Sequence, residues 1–173
     1  QKEIIKVVRD LVEKEIVPYA SEMDETGKLH EGLLEKLAAQ GLLGVAIPEE
    51  FGGAGLDAIT IAAIYEELGK GCAGVATTVA ANALASYPVI IAGNDDQKKR
   101  YFDIINEDNL AAFALTEPGT GSDAGSVSTR AMKTEDGKGY ILNGTKCFIT
   151  NGALAEVFVV FANTRKSGGI RGL

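Results

Sequence analysis

The chain has 173 residues, of which 17 are Lys or Arg and 24 are Asp or Glu, so its formal charge is −7. Hydrophobic residues make up 46% and charged residues 24%, a composition typical of a globular protein with one or two packed cores. This acidic balance leaves no continuous cationic surface for a phosphate backbone. We therefore expect no nucleic-acid partner.

Histidine and cysteine are scarce in this sequence. The single histidine, His30, and the two cysteines, Cys72 and Cys147, are too few for most zinc sites, and no metal centre is expected. Two thiols far apart in sequence suggest a reducing compartment, so a cytoplasmic location is expected. The sequence also predicts a soluble chain with no signal peptide, no membrane partner and no apolar run long enough to cross a bilayer.

Apolar residues at three- and four-residue spacing predict helices in the first half of the chain. Asp57 and Asn94 are the expected N-caps of two of them, Asn94 in a capping box with Gln97, and Pro18 is expected to stop the first helix. The run around Pro88 is nearly uncharged, which predicts a helix buried on all sides and bent or split at the proline. The predicted helices cover residues 4–16, 31–40, 57–68, 73–92 and 94–105.

After about residue 109 the pattern changes to β-branched and aromatic residues at period two. Asp136-Gly137 is a predicted turn, and Asn143-Gly144 is the strongest hairpin signal in the chain. Because no helix separates consecutive strands, a mainly antiparallel sheet is expected. The predicted fold class is α+β, with an all-α helical bundle over residues 1–109 and a mainly antiparallel β domain over 110–173. The predicted strands cover residues 110–115, 126–134, 140–142, 145–150 and 157–162.

The segment 116–125 (TEPGTGSDAG) is the leading site candidate, because three glycines and several hydroxyls suit close backbone approach to an anion or heterocycle. Residues 119–124 match the dinucleotide pattern G-x-G-x-x-A. That pattern requires a helix to begin there, whereas the residues that follow predict a strand, so a nicotinamide site is rejected. A plain loop between two strands remains the alternative.

Phe148 and Thr150 form the second candidate. On the predicted strand their side chains share one face, so an aromatic ring and a hydroxyl would stand side by side. An isoalloxazine ring could use such a pair, with the aromatic ring on its face and the hydroxyl on a ring nitrogen. Core packing explains the same pattern and stays open.

Four motifs occur in order along the chain, at residues 47–55 (IPEEFGGAG), 88–101 (PVIIAGNDDQKKRY), 114–123 (ALTEPGTGSD) and 140–152 (YILNGTKCFITNG). Together they resemble the acyl-CoA dehydrogenase family over nearly the whole chain. The resemblance implies FAD-dependent oxidation of an acyl-CoA thioester to the trans-2-enoyl-CoA. In that reaction a carboxylate removes the α proton, the β hydride passes to flavin N5, and an electron-transferring flavoprotein takes the electrons.

Site residues are carried over from the resemblance by motif position. It implies that Phe113, Leu115 and Thr116 border the flavin, and that Gly121 and Ser122 lie near the FAD diphosphate. Ser122 would also contact the pantetheine of the acyl-CoA substrate. Phe148 would lie against the ring system and Thr150 at N5, with Ile149 between them in the cofactor-binding segment. The resemblance further implies a homotetramer in full-length form, located in the cytoplasm or, in a eukaryote, in the mitochondrial matrix after removal of a transit peptide.

The catalytic base is expected beyond Leu173, because the family carries its catalytic Glu in a C-terminal helical domain, and that domain is expected to be absent here. No catalytic residue is therefore assigned; Glu117 and His30 are expected to be structural or solvated. A 173-residue chain alone is expected to be inactive, with weak FAD affinity and a tendency to associate through strand edges. Alternatives are an acyl-CoA oxidase or flavin monooxygenase on the same fold, or a non-catalytic binding fragment. Small residues around Ala80 favour a deeper pocket, and the resemblance of residues 88–101 to medium-chain members implies short or medium straight acyl chains.

Overall fold

A computed structural model describes residues 2–164 and 170–172. Within them the first half is helical and the second half forms a five-stranded sheet. Residues 165–169 and 173 of the predicted β domain lie outside the described residues. The helices are α1 (Lys2–Leu11), α2 (Ala20–Thr26), α3 (Leu33–Ala39), α4 (Ala58–Gly71), α5 (Ala73–Ala92) and α6 (Asp95–Asn106). The strands are β1 (Ala111–Ala114), β2 (Arg130–Lys133), β3 (Tyr140–Asn143), β4 (Val157–Asn163) and β5 (Ile170–Gly172).

The sequence predicted that the first helix stops at Pro18, but the helical path continues past it. After α1 the chain continues through a π-helical turn, Val12–Ile16, and a 3₁₀ turn, Val17–Tyr19, into α2. Pro18 lies at the start of the 3₁₀ turn, where its missing N–H removes no helical hydrogen bond. Helix α2 was not predicted, and it ends at Gly27, which is in the left-handed conformation.

Both predicted N-caps are confirmed. The Asp57 side chain accepts hydrogen bonds from the backbone N–H groups of Ile59 and Thr60 at the start of α4. Asn94 and Gln97 form the reciprocal capping box that begins α6, with N···O distances of 2.9 and 3.0 Å. These side chains satisfy N–H groups that the first helical turn leaves without partners.

Helix α5 runs unbroken through Pro88 and is not buried on all sides. Its inner face packs against α4 and β1, whereas Leu84, Tyr87 and Ile91 remain 50%, 42% and 81% exposed. By length and composition alone α5 could cross a membrane, so the expectation that no apolar run is long enough was wrong. Helix α5 forms most of the helical wall of the cleft described below.

A buried amide joins the helical half to the sheet. Asn82 of α5 is fully buried, and its Nδ2 donates to the carbonyls of Leu43 and Asn109 at 3.4 and 3.3 Å. Its Oδ1 accepts from the backbone N–H of Ala111, at the start of β1, at 2.8 Å. Since an unpaired buried amide is costly, these bonds fix β1 against α5.

The sheet confirms the α+β class but is mixed, where a mainly antiparallel order was expected. Its strand order is β1-β4-β2-β3, with β5 paired to β4. Strands β2 and β3 are antiparallel, as are β4 and β5, but β1 pairs with β4 in parallel and β2 meets β4 in parallel at one residue pair. The sequence signals describe strands one at a time, and β1 pairs with a strand more than forty residues later rather than with its neighbour in sequence.

Two predicted strands and one predicted hairpin turn differ in the structure. The hairpin turn between β2 and β3 lies at Asp136-Gly137, while Asn143-Gly144 only ends β3. Residues 145–150 form no strand, and the predicted strand 126–134 is reduced to β2 after a 3₁₀ turn, Ala124–Ser126. Gly144 is required for close approach, because a Cβ there would lie 2.3 Å from Thr129 Oγ1.

We expect Gly144→Ala to lower the free energy of unfolding by about 2 kcal/mol, since the added methyl group overlaps Thr129. Gly119→Ala is the matched control, because no atom lies within 4 Å of a Cβ at that position. The control should change the free energy of unfolding by less than about 1 kcal/mol. Urea denaturation measures both, and equal midpoints for the two variants would contradict the close approach.

Candidate functional site

A cleft of about 530 Å³ opens between the exposed face of α5 and the first residues of the β half. Its helical wall comes from α4 and α5, and its other wall comes from β1, the residues just after β1, and the bend 145–150. A cleft with walls from both halves requires both to be folded. Its lining consists of Tyr65, Thr77, Ala80, Ala81, Ala83, Leu84, Tyr87, Phe113, Leu115, Thr116, Phe148 and Thr150.

Many of the residues singled out from the sequence meet in this cleft. Phe113, Leu115 and Thr116 line it from one side, and Phe148 and Thr150 line it from the bend. The others lie outside the lining: Gly121 and Ser122 are exposed in their loop, and Ile149 is half-buried. The residues of the bend reach the cleft although the strand expected there does not exist.

Phe148 has an unusual conformation for a bulky side chain. Its φ is 55°, in the left-handed region, and it is 93% exposed. A non-glycine residue in this region is strained, and an exposed aromatic ring forgoes the free energy of burial. Strain of this kind clusters at ligand-binding sites, where the surrounding structure holds it.

Two threonine hydroxyl groups on the cleft walls have no hydrogen-bond partner among the described residues. The Oγ1 atoms of Thr116 and Thr150 form no hydrogen bond with any residue that the structure describes, in contrast to Thr77, whose hydroxyl donates to the Ala73 carbonyl at 2.7 Å. Each free hydroxyl can donate one hydrogen bond and accept others. With the apolar lining, they give the cleft the chemistry of a site for a largely apolar heterocycle with polar edges.

Glu117 is buried rather than solvated. Its side chain is 2% exposed and accepts hydrogen bonds from the backbone N–H and the hydroxyl of Ser128, both at 2.6 Å, and from the corresponding groups of Thr129. Lys146 Nζ donates to it at 2.8 Å. Burial raises the pKa of Glu117, but the hydrogen bonds from Lys146, Ser128 and Thr129 outweigh burial and hold the pKa far below its ordinary value.

Lys146 connects this buried carboxylate to the cleft. Its Nζ also donates to the carbonyl of Leu115 at 2.9 Å, and the N–H of Cys147 donates to the carbonyl of Thr116 at 3.0 Å. The start of the bend is thus fixed to the residues just after β1. The sequence analysis did not identify Lys146, although it lies inside the motif at residues 140–152, because an isolated lysine normally indicates a solvated position.

Two residues considered as bases are not in the cleft. Glu117 does not line it and keeps its charge in a saturated hydrogen-bond network, so it has no free proton-accepting role. His30 is partly buried rather than exposed, and its ring stacks on Tyr19 with a centroid distance of 3.5 Å. Across the described residues no group of three His, Cys, Asp or Glu side chains could hold a metal ion.

Comparison with known proteins agrees with the architecture. The family model for the acyl-CoA dehydrogenase N-terminal domain matches residues 1–107, and the model for the middle domain matches residues 112–173. The chain is 42% identical to a 3-(aryl)acrylate reductase of Clostridium sporogenes (strain ATCC 15579), covering 100% of this chain and 46% of that protein. It is 40% identical to an acyl-CoA dehydrogenase of Bacillus subtilis (strain 168), covering 97% of this chain and 44% of that protein.

Solved structures give the same result. Over 99% of this chain and 46% of the other, the fold matches a chain from the electron transferring flavoprotein structure of Acidaminococcus fermentans, with a TM-score of 0.91 and 38% identity. Butyryl-CoA dehydrogenase of Megasphaera elsdenii matches with a TM-score of 0.87 and 37% identity, again over 99% and 46%. An acyl-CoA dehydrogenase of Bacillus anthracis complexed with FAD matches with a TM-score of 0.87 and 38% identity, over 99% and 30%.

The helical bundle, the mixed sheet and the cleft between them give this chain the fold of the acyl-CoA dehydrogenases. The chain belongs to the acyl-CoA dehydrogenase family, as the resemblance of its four motifs predicted. It spans about half the length of the curated relatives it matches.

We expect Glu117→Gln to lower the free energy of unfolding at pH 7 by about 3 kcal/mol, because Lys146 loses its charged partner in a buried setting. Because the pKa of Glu117 is lower in the folded chain, the unfolded chain takes up this proton first as the pH falls. The contribution of the carboxylate is thus fully present above the unfolded pKa of about 4, and it is lost progressively as the pH falls below that value toward the folded pKa.

Urea unfolding at pH 7, 5 and 3.5 measures this effect, with the exposed Glu135→Gln as the matched control. The difference between wild type and Glu117→Gln should narrow as the pH falls, while the control stays close to wild type throughout. A difference that is the same at all three pH values would contradict the lowered pKa.

Proposed function

We propose that the cleft binds the isoalloxazine ring of FAD, and that the protein of which this chain forms part is an FAD-dependent acyl-CoA dehydrogenase. The observation that carries the proposal is Phe148, whose ring is held exposed at the cleft in a strained backbone conformation. Such strain and exposure are retained where a ligand covers the ring. The relative from Bacillus anthracis, whose structure contains FAD, supports the choice of cofactor.

The residues of the cleft suit the parts of a flavin. Phe148 would cover one ring face, Thr150 would donate its hydroxyl at N5, and Thr116 would bond the pyrimidine edge, with Phe113 and Leu115 beside it. Gly121 and Ser122 would lie near the diphosphate, and Ser122 also near the pantetheine. Ile149 would contribute to the cofactor-binding segment with its backbone, between Phe148 and Thr150. FAD, when bound, accepts the hydride that leaves the β carbon of the acyl group.

Removal of the α proton is proposed to depend on a carboxylate outside the described residues. Among the described residues that line the cleft none carries a carboxylate, and Glu117 is committed to Lys146 and its hydrogen-bond donors. A general base must lie within hydrogen-bond reach of the proton it removes. The residues of this chain would therefore bind and orient the flavin and exclude water, while another segment supplies the base.

The finer parts of the proposal concern substrate, acceptor and assembly. Ala80, Ala81 and Ala83 line the cleft with small side chains that leave room for an acyl chain. The resemblance of residues 88–101 to medium-chain members favours a short or medium straight chain. The match to a structure of an electron transferring flavoprotein supports such a protein as the electron acceptor. A homotetramer in the cytoplasm or in the mitochondrial matrix completes the proposal; a 40% identical short-chain relative from rat is mitochondrial by name.

A second candidate function is reduction of an aryl acrylate double bond. The chain is 42% identical to a 3-(aryl)acrylate reductase, and two tyrosines, Tyr65 and Tyr87, line the cleft beside the alanines. Aromatic side chains pack favourably against an aryl group. The two functions share the flavin site and differ in the direction of electron flow.

The deciding experiment is anaerobic titration of the purified protein of which this chain forms part, after incubation with FAD, with butyryl-CoA, octanoyl-CoA and a 3-phenylacryloyl compound. Bleaching of the oxidised flavin by a saturated acyl-CoA supports the dehydrogenase. Reoxidation of dithionite-reduced flavin by the acrylate, without bleaching by acyl-CoA, supports the reductase. A colourless protein that takes up no FAD on dialysis would contradict both functions.

We expect Phe148→Gly to weaken FAD binding at least about tenfold, because the ring face loses its aromatic cover. The same change should leave the free energy of unfolding of the FAD-free protein within about 1 kcal/mol of wild type, since glycine relieves the strained φ and an exposed ring contributes little burial. Fluorescence titration with FAD and urea unfolding measure the two effects.

Phe158→Ala is the control, because Phe158 is also an exposed phenylalanine, 43% exposed, but does not line the cleft. It should retain wild-type FAD affinity. Equal losses of affinity in both variants would argue against a specific role for the Phe148 ring.

A further inference from the structure

Asn151 lies directly after the cleft-lining Thr150 and reaches both walls of the cleft. Its Nδ2 donates to the carbonyl of Thr78 on α5 at 3.0 Å and to the carbonyl of Ala111 on β1 at 3.1 Å. Thr78 adjoins Thr77 of the helical wall, and Ala111 is two residues before Phe113 on the other wall. One amide group therefore joins the bend to both walls at once.

The backbone of Asn151 indicates that this side chain is retained for its hydrogen bonds. Its φ is 62°, a conformation that glycine adopts without strain. Asparagine is also tolerated there, and unlike glycine it has a side chain with two N–H donors for the carbonyls of Thr78 and Ala111. The carbonyl of Asn151 also accepts from the N–H groups of Leu154 and Ala155, at 2.9 and 2.8 Å, so the turn that follows is fixed as well.

The bend has a second anchor at its other end. Lys146 holds it to the carbonyl of Leu115 and to the buried Glu117, and Cys147 holds it to Thr116. Phe148 and Thr150 lie between the two anchors, in a stretch with no strand partner. The position of these two side chains is therefore set from the ends of the bend.

We propose that Asn151 is a positioning residue that holds Thr150 and Phe148 against both cleft walls and thereby sets the environment of the flavin. It acts through the backbone of the bend and does not itself line the cleft. The inference rests on the proposed FAD function and adds a residue and a role to it. A side chain with two N–H donors is required because both partners are carbonyl oxygens.

Three variants in the FAD-loaded protein separate the parts of this role. Asn151→Gly keeps the left-handed backbone and removes both donors. Asn151→Asp keeps size and shape but places a carboxylate against two carbonyl oxygens. Asn151→His also tolerates this backbone region and retains one ring N–H donor, so it tests rescue. Asn106→Gly is the control, because Asn106 Nδ2 makes a similar bond, to the Phe51 carbonyl at 2.7 Å, and does not line the cleft.

The measurements are the FAD dissociation constant, the visible absorption and circular dichroism of the flavin, its midpoint potential, and the unfolding temperature. We expect Asn151→Gly and Asn151→Asp to weaken FAD binding about tenfold or more and to change the flavin spectrum and potential, with Asn151→His intermediate. Asn106→Gly should lower only the unfolding temperature. If Asn151→Gly does not fold, the FAD affinities of the other two variants decide: Asn151→His should bind FAD more tightly than Asn151→Asp, and the reverse order would contradict the positioning role.

Two results would overturn the inference, and they are distinguishable. If wild type binds FAD and the Asn151 variants match Asn106→Gly or wild type in affinity, spectrum and potential, the role of Asn151 is only structural and the proposed function stands. If wild type takes up no FAD, the proposed function fails, and the positioning role fails with it.

Discussion

Beneath the cleft, the Glu117 carboxylate and the Lys146 ammonium lie 2.8 Å apart, with side chains that are 2% and 12% exposed. Burying two charges is unfavourable unless their attraction and further hydrogen bonds compensate. Here the backbone and hydroxyl groups of Ser128 and Thr129 and the carbonyl of Leu115 supply those bonds. The pair therefore joins the residues just after β1, residues 128–129 and the start of the bend, and it holds the Leu115 side of the cleft in place.

Neither half of the chain forms the cleft alone. Helix α5 contributes an apolar face that its own domain leaves exposed, and β1 is held against the inner face of α5 by the buried amide of Asn82. The bend 145–150 then attaches to the end of β1 through Lys146 and to α5 through Asn151. Lys146 and Asn151 donate from their side chains to backbone carbonyls, whereas the Asn82 side-chain carbonyl accepts from the backbone N–H of Ala111. Such bonds are directional and costly to leave unmade when buried.

Strain and exposure concentrate where this network leaves the chain without regular structure. Phe148 combines a left-handed backbone with an almost fully exposed ring, and Thr116 and Thr150 present hydroxyls that the described residues do not bond. Strained backbone, exposed aromatic rings and unbonded hydroxyls are uncommon together in a folded chain, and they occur where ligand binding compensates their energetic cost. The strained, exposed ring and the unbonded hydroxyls occur at the same place. For this reason the cleft, rather than the glycine-rich loop on its own, is the candidate flavin site.

The sequence by itself determined what depends on neighbouring residues: the helices with the caps at Asp57 and Asn94, the change from α to β, and the motifs that identify the family. It did not determine the path through Pro18, the parallel pairing of β1 with β4, or the bend that replaced the strand expected at 145–150. Hydrophobic periodicity and capping are local, whereas the bond from Asn151 to Thr78 joins residues 73 positions apart. Only packing of the two halves decides which distant carbonyls meet which donors, so the tertiary structure alone fixed the cleft and the anchors at Lys146 and Asn151.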